Sequence, residues 1–345
     1  MTPTLLGALV AALAGFTMGS GVWPMKVLRR FAFENWMFIS MSVGLVIVPW
    51  SITLIGCPNA IDAYRSVGLF TLVKSNLFAL GWGIANLLGS LCFTRIGVSL
   101  TGGIMAGLGV SVGVAVPMVV KGSGLFHSAP DLASTAGYTA LFGVAVMLVG
   151  VVFVAKAGFG RDRILKIHQN KPGGFGMWLI LGITAGILSC GTSFAFVYCQ
   201  EPIIHAMKAH GAGDIPSIFA VWAVGLLSGT VVNIGVPAYL MTKNKSWHTL
   251  IECPRDIVLA AIIGLMFCTA IALMGKGMLI LGALGGSIGW GIYNAMQMMG
   301  AQGVGFMSGE WHGVHGGPRT QMVFAIIILI AASTVLAYGN FLAGR

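Results

Sequence analysis

Trp82 and Asn86 stand four residues apart, so on a helix they share one face. Trp290, Asn294 and Gln297 repeat that pattern at i, i+4 and i+7, with Tyr293 beside them. Ser189 and Ser193 form another i, i+4 pair with Thr192 adjacent, and Trp222 and Asn233 lie inside apolar runs. An indole plate flanked by amides and hydroxyls suits a neutral, hydroxyl-rich molecule. The ring stacks on the C–H face of a sugar, and the amides exchange hydrogen bonds with its hydroxyls. The same neutral groups also serve to bridge helices.

Charged chemistry is scarce. Glu34, Asp62, Glu201, Asp256 and Glu310 all fall at or beyond the ends of apolar runs, and no Asp or Glu sits near the middle of one. This excludes a carboxylate relay through a membrane. No paired carboxylates and no Ser-His-Asp set can be assembled in one plane, so the chain does not read as an enzyme. The six cysteines have no CxxC pair and read as small buried hydrophobes, not a disulfide framework. His205 with His210, and Glu310 with His312 and His315, lack the i, i+4 geometry of a helical zinc site. No metal and no cofactor is implied.

The elements that hold these residues are long and apolar. Only 8% of residues are charged, 57% are hydrophobic, and the mean hydropathy is +0.92. A soluble fold carries roughly a quarter charged residues, so the solvent here is lipid. A helix needs roughly 20 apolar residues to cross a bilayer. Such runs occur at Thr4–Trp23, Trp36–Ile55, Leu69–Phe93, Gly97–Val120, Thr135–Val154, Gly174–Val197, Ser217–Leu240, Ile257–Leu273, Met278–Met299 and Gln321–Leu342. The eighth is the weakest, being short and followed by Gly275-Lys276-Gly277. None alternates as a barrel strand would. The first run lacks a basic segment before it and reads as a retained helix, not a signal peptide. The expectation is an all-α membrane protein of ten spans.

The formal net charge of +10 would suggest nucleic acid in a soluble protein, but here the charges sort by loop. Most of the 19 basic residues follow odd-numbered spans: Lys26, Arg29 and Arg30, then Arg95, the run from Lys156 to Lys171, Lys243, Lys245 and Arg255, and Arg319. Short basic loops stay in the cytoplasm, which predicts that both termini face outward. Ten spans divide into five plus five: a first repeat over 1–156, a basic cytoplasmic linker over 157–173 and a second repeat over 174–345. An odd number per half inverts the second repeat, the plan of many carriers. Ala14-Gly15-Phe16-Thr17-Met18-Gly19-Ser20 echoes Ala185-Gly186-Ile187-Leu188-Ser189-Cys190-Gly191. Spans four and nine both carry GxxxG, at Gly103/Gly107 and Gly109/Gly113, and at Gly282/Gly286 and Gly285/Gly289. Such small-residue faces let backbones approach closely and slide. The two halves are expected to clasp an uncharged, polyol-like solute.

Several stretches resemble the L-rhamnose–proton symporter family of the drug/metabolite transporter superfamily. They are Pro49-Trp50, Gly81-Trp82-Gly83-Ile84-Ala85-Asn86, Thr94-Arg95-Ile96-Gly97-Val98-Ser99, the glycine-rich run to Pro117 and Lys156-Ala157-Gly158. Gly186-Ile187-Leu188-Ser189 with Ser193-Phe194-Ala195, Asn233-Ile234-Gly235, Gly264-Leu265-Met266 and Glu310-Trp311 follow in order. The resemblance implies ten helices in two inverted five-helix repeats. It also implies proton-coupled uptake of a deoxy sugar across the bacterial inner membrane. It carries over Trp82, Asn86, Arg95, Ser189, Ser193, Asn233 and Glu310. The chain departs from the family at Phe267-Cys268-Thr269-Ala270-Ile271-Ala272 and at Leu281–Gly286, which are less polar, and at Glu201, where a basic residue is expected. If those faces read the sugar, this chain takes a different one.

A symporter needs a group that binds the driving ion, a proton or another cation. Glu201 and Glu310 are the best placed, and Arg95 joins them as a gating candidate. Two other readings stand: a metabolite or drug exporter of the same superfamily, and a non-transporting membrane sugar sensor. The neutral polar faces favour a sugar over a lipophilic cation. A channel is disfavoured, because no ring of like residues and no filter-like loop is present.

Overall fold

The computed structural model describes residues 3–120, 131–165, 174–281 and 289–343, and every regular element among them is helical. In order these are α1 (Pro3–Ser20), a 3-10 turn (Trp23–Val27), α2 (Phe33–Met41), a π turn (Ser42–Ile47), α3 (Val48–Gly56), α4 (Ala60–Ser66) and α5 (Leu69–Arg95). Then come α6 (Val98–Val120), α7 (Thr135–Leu165), α8 (Gly174–Ser189), α9 (Gly191–Ala209), α10 (Asp214–Gly225) and α11 (Leu227–Lys243). The chain closes with α12 (His248–Glu252), α13 (Pro254–Leu281), α14 (Trp290–Met307) and α15 (Gly317–Ala343). Among the described residues, 8 helices are long and apolar enough to cross a membrane, or 9 if the bent pair α10–α11 counts as one span. The described part of the ninth span, α14, is not among them.

Several boundaries differ from the sequence expectation. The eighth span does not stop at Leu273; α13 runs straight through Gly275-Lys276-Gly277 to Leu281. Gly275 faces Ile218, and Lys276 reaches Asp214 at 3.7 Å. Glycine in a membrane helix is thus a packing site more than a stop. The fifth span continues past Val154 to Leu165, so Arg161 and Arg163 are helical and not part of a loop. The second span carries a π turn just before Pro49. Proline has no N–H and its ring crowds the carbonyl four residues back, and the wider turn accommodates both. The expected GxxxG residues Gly282, Gly285 and Gly286, and the basic residues Lys121, Lys166, Lys171 and Arg345, lie outside the described residues.

The chain forms two compact units. One holds Met1–Ser20, Leu91–Cys190 and Gly277–Arg345; the other holds Gly21–Ser90 and Gly191–Lys276. In the first, α7 packs along α15, α1 along α14, and α6 against α7, α8 and α14, while α14 also meets α15. Its core gathers Ile96, Leu100, Ile104, Met147, Val154, Leu329 and neighbours. In the second, α2 and α3 pack on α11 and α10, and α4 and α10 pack on α9. Backbones there approach closely through glycine. A Cβ on Gly83 would lie 2.6 Å from the Gly229 Cα, and one on Gly264 would lie 3.1 Å from the Gly44 N.

Candidate functional site

In the second unit, Trp82 and Asn86 of α5 both meet α11. The Asn86 amide donates to Asn233 Oδ1 at 2.8 Å and approaches Met41 Sδ at 3.4 Å. Asn233 is fully buried and donates in turn to the Gly229 and Gly83 carbonyls, at 2.8 and 3.3 Å. The Gly83–Gly229 approach makes this possible, because it brings two backbone carbonyls to one side chain. Asn86 is only half-buried, and its own Oδ1 accepts no hydrogen bond among the described residues.

Trp222, on α10, sits among three rings edge to face. Their centroids lie 6.0 Å away for Trp82, 5.2 Å for Phe196 and 5.3 Å for Phe267. Thr192 and Ser193 open α9 beside this cluster and are half-buried. A Cβ on the preceding Gly191 would come within 2.9 Å of the Trp82 N. Neither hydroxyl makes a hydrogen bond among the described residues. The structure therefore links Asn86 to Asn233 and Trp82 to Trp222, and brings the start of α9, which carries Thr192 and Ser193, against the Trp82 backbone. Phe196 and Phe267 were missed by sequence reading: Phe267 has no polar neighbour at helical spacing, and Phe196, four residues after Thr192, read as an ordinary apolar position of its span.

The remaining candidates belong to the first unit. Trp290 stacks on Tyr293 at 5.3 Å and 22°. Tyr293 and Asn294 are buried, and the Asn294 amide donates back to the Trp290 carbonyl at 2.8 Å. Gln297 is half-buried, where α14 runs against Gly19 of α1. The Ser189 hydroxyl donates locally to the Gly186 carbonyl at 2.7 Å.

Glu310 follows α14 and closes a charged junction in the same unit. Its oxygens accept from the Val98 and Ser99 amides at 2.7 and 3.1 Å, at the start of α6. A helix N-terminus with free amides stabilises an anion. Gly97 makes room for the carboxylate by taking φ +94°, a conformation that glycine reaches without a Cβ penalty. Arg161 lies 3.7 Å from Glu310, and both side chains are more than nine-tenths buried. The guanidinium also donates to the Ile96 carbonyl and lies 5.4 Å over the Trp311 ring. Gln302 bonds Ser99 through both its backbone and its hydroxyl, and Trp311 donates to the Ser99 hydroxyl at 3.2 Å. Arg161 was hidden in a basic run that read as a cytoplasmic loop. Arg95 is exposed and lies 5.1 Å over Trp178, whereas Glu201 is exposed on α9.

Residues 3–341 match the family described as L-rhamnose-proton symport protein (RhaT). The chain belongs to this family. The L-rhamnose-proton symporter of Shigella dysenteriae serotype 1 (strain Sd197) is 26% identical over 327 residues, which cover 92% of each chain. The L-rhamnose-proton symporter of Escherichia coli (strain SMS-3-5 / SECEC) gives the same identity and coverage. No solved structure matches the chain. Membership in a family of symporters makes this a multi-pass membrane transporter and not an enzyme.

Proposed function

We propose that this chain imports L-rhamnose, or a closely related neutral monosaccharide, together with a proton, by alternating access. The observation that carries the reading is the Asn86–Asn233 pair set against Trp82 and Trp222. It offers an amide oxygen that accepts no hydrogen bond among the described residues and aromatic rings, with no charge among them; Thr192 and Ser193 are proposed to add hydroxyls. Trp290, Tyr293, Asn294, Gln297 and Ser189 remain further candidates for sugar binding.

The fold is read as ten spans in two inverted repeats, 1–156 and 174–345; of the expected cytoplasmic linker 157–173, the part up to Leu165 continues the helix of span five. Support comes from pairing each span with the one five later. Spans one and six then both leave the first unit partway, after Ser20 and after Cys190. Spans three and eight both re-enter it, after Ser90 and after Lys276. The packing of α1 on α14 has its counterpart in α8 on α6, and that of α6 on α7 in α14 on α15. Gly83 on Gly229 is matched by Gly264 on Gly44. The protein sits in the bacterial inner membrane with both termini outside, as the basic loops favour.

Coupling is assigned to Glu310 or to Glu201, the exposed alternative, with Arg95 as a gating residue. A proton arriving at Glu310 would cancel its pairing with Arg161 and weaken its hold on the α6 amides, linking charge to the α6–α14 junction.

The test is uptake of labelled L-rhamnose by the purified protein in liposomes under an imposed inward proton gradient. Accumulation that collapses with the gradient is expected. Absence of uptake for rhamnose and for a panel of pentoses, hexoses and 6-deoxyhexoses would overturn the reading. Glu201→Gln and Glu310→Gln, assayed by substrate-dependent alkalinisation, divide the coupling role; unchanged proton uptake in both removes it from these residues.

A further inference from the structure

Span seven is broken, and another helix is built to hold the break. α10 and α11 meet at 64° across Leu226, which leaves the helical region at φ −118° and ψ 23°. A bend this sharp strands carbonyls at the end of α10 and amides at the start of α11, and lipid offers no water to satisfy them. Neighbouring side chains of α5 take them up. Ser75, fully buried, donates to the Gly225 carbonyl at 2.7 Å. Asn76 spans the gap with one planar amide: Nδ2 donates to the Val224 carbonyl at 3.0 Å, and Oδ1 accepts from the Ser228 amide at 2.8 Å. The Ser228 hydroxyl returns a bond to the Asn76 carbonyl. The two candidate sugar residues of span seven lie on opposite sides of this bracket, Trp222 before it and Asn233 after it.

We propose that Asn76 is a positioning residue for sugar transport, fixing the break of span seven so that Trp222 and Asn233 are presented together to the substrate. This rests on the sugar reading above. Only a side-chain amide donates and accepts in one plane at this reach, so the role is specific to the group and not to its bulk. Both amide hydrogens go to backbone carbonyls, of Val224 and Leu72, and the oxygen takes the Ser228 amide, so the side chain is engaged with backbone.

The experiment uses the full chain with 5-fluorotryptophan, the Trp222 resonance being assigned by its absence in Trp222→Phe. Asn76→Leu removes both arms of the bracket; Asn76→Asp keeps the acceptor and loses the donor; Ser75→Ala removes one outer bond and is the mild variant should Asn76→Leu fail to fold. In Asn76→Leu the Trp222 resonance is expected to move while that of Trp290 stays, and L-rhamnose binding to weaken about tenfold or more. Asn76→Asp and Ser75→Ala should move the same resonance less and in the same sense. An unmoved Trp222 resonance together with rhamnose binding within about twofold in Asn76→Leu, or in Ser75→Ala where Asn76→Leu does not fold, overturns the proposal. Failure of the sugar reading looks different: the unaltered protein binds no sugar, while the resonance shift still reports on the bracket.

Discussion

Around Asn233 every polar group is neutral, whereas around Glu310 a full ion pair lies buried beside an indole. Both centres are built by glycines that let chains approach closely, Gly83 with Gly229 in one and Gly97 in the other. They differ in what is left over. The neutral centre keeps an amide oxygen on Asn86 and hydroxyls on Thr192 and Ser193 for a visitor. At the charged centre both carboxylate oxygens of Glu310 are already occupied. A neutral solute can trade hydrogen bonds at the first without upsetting a charge balance. At the second, any gain or loss of charge is felt by the α6 terminus. On the proposed function, ligand recognition and charge sensing therefore fall to separate regions.

Breaking the charged centre should have the largest effect. Glu310→Ala removes the buried counter-ion of Arg161, and a loss of about 3–5 kcal/mol of stability is expected, read from unfolding in detergent. The double variant Arg161→Met with Glu310→Leu should recover most of that loss. A single variant as stable as the parent would show that the pair is no clamp. Next comes Asn233→Leu, which takes the oxygen acceptor from the Asn86 amide and puts an aliphatic side chain beside the Gly83–Gly229 contact. It should cost about 1–3 kcal/mol and also abolish measurable rhamnose binding.

Asn86→Ala sharpens the contrast, because the Asn86 oxygen accepts nothing among the described residues, whereas the oxygen and both amide hydrogens of Asn233 are engaged. Its stability should change by less than about 1 kcal/mol while rhamnose affinity, measured by thermal shift, falls about tenfold. Equal effects of Asn86→Ala and Asn233→Leu on both quantities would erase the distinction between them. The smallest effects are expected for Thr192→Val and Ser193→Ala, each about two- to threefold in rhamnose affinity with unfolding unchanged.

Helix periodicity made the Trp82–Asn86 face and the membrane class readable, because both depend on residue type at fixed spacing. The Asn86–Asn233 pairing was not readable, since it joins residues far apart in the chain through glycines whose partners no local pattern reveals. Arg161 escaped for a different reason. In a run with Arg163, Lys166 and Lys171 it looked like solvated loop, yet it points into the protein to meet Glu310. The breaks at Cys190 and Leu226 escaped because no proline marks them; Pro202 and Pro237 lie farther along inside helices. Asn76 has no polar companion at helical spacing and gave no signal at all. What sequence conveys well is which face a residue shares, and what it conveys poorly is a tertiary contact that frees or satisfies backbone.

All six cysteines are unpaired thiols shut away from solvent. A thiol reacts only when it is ionised and reachable, so at rest the protein should be nearly inert to alkylating reagents. Any labelling then times an opening of the molecule, and a cycle that exposes one helix seam but not another will modify the six at unequal rates. Cys190, at the joint between α8 and α9, and Cys199, against Gly225 at the bent span, make a built-in stopwatch for turnover.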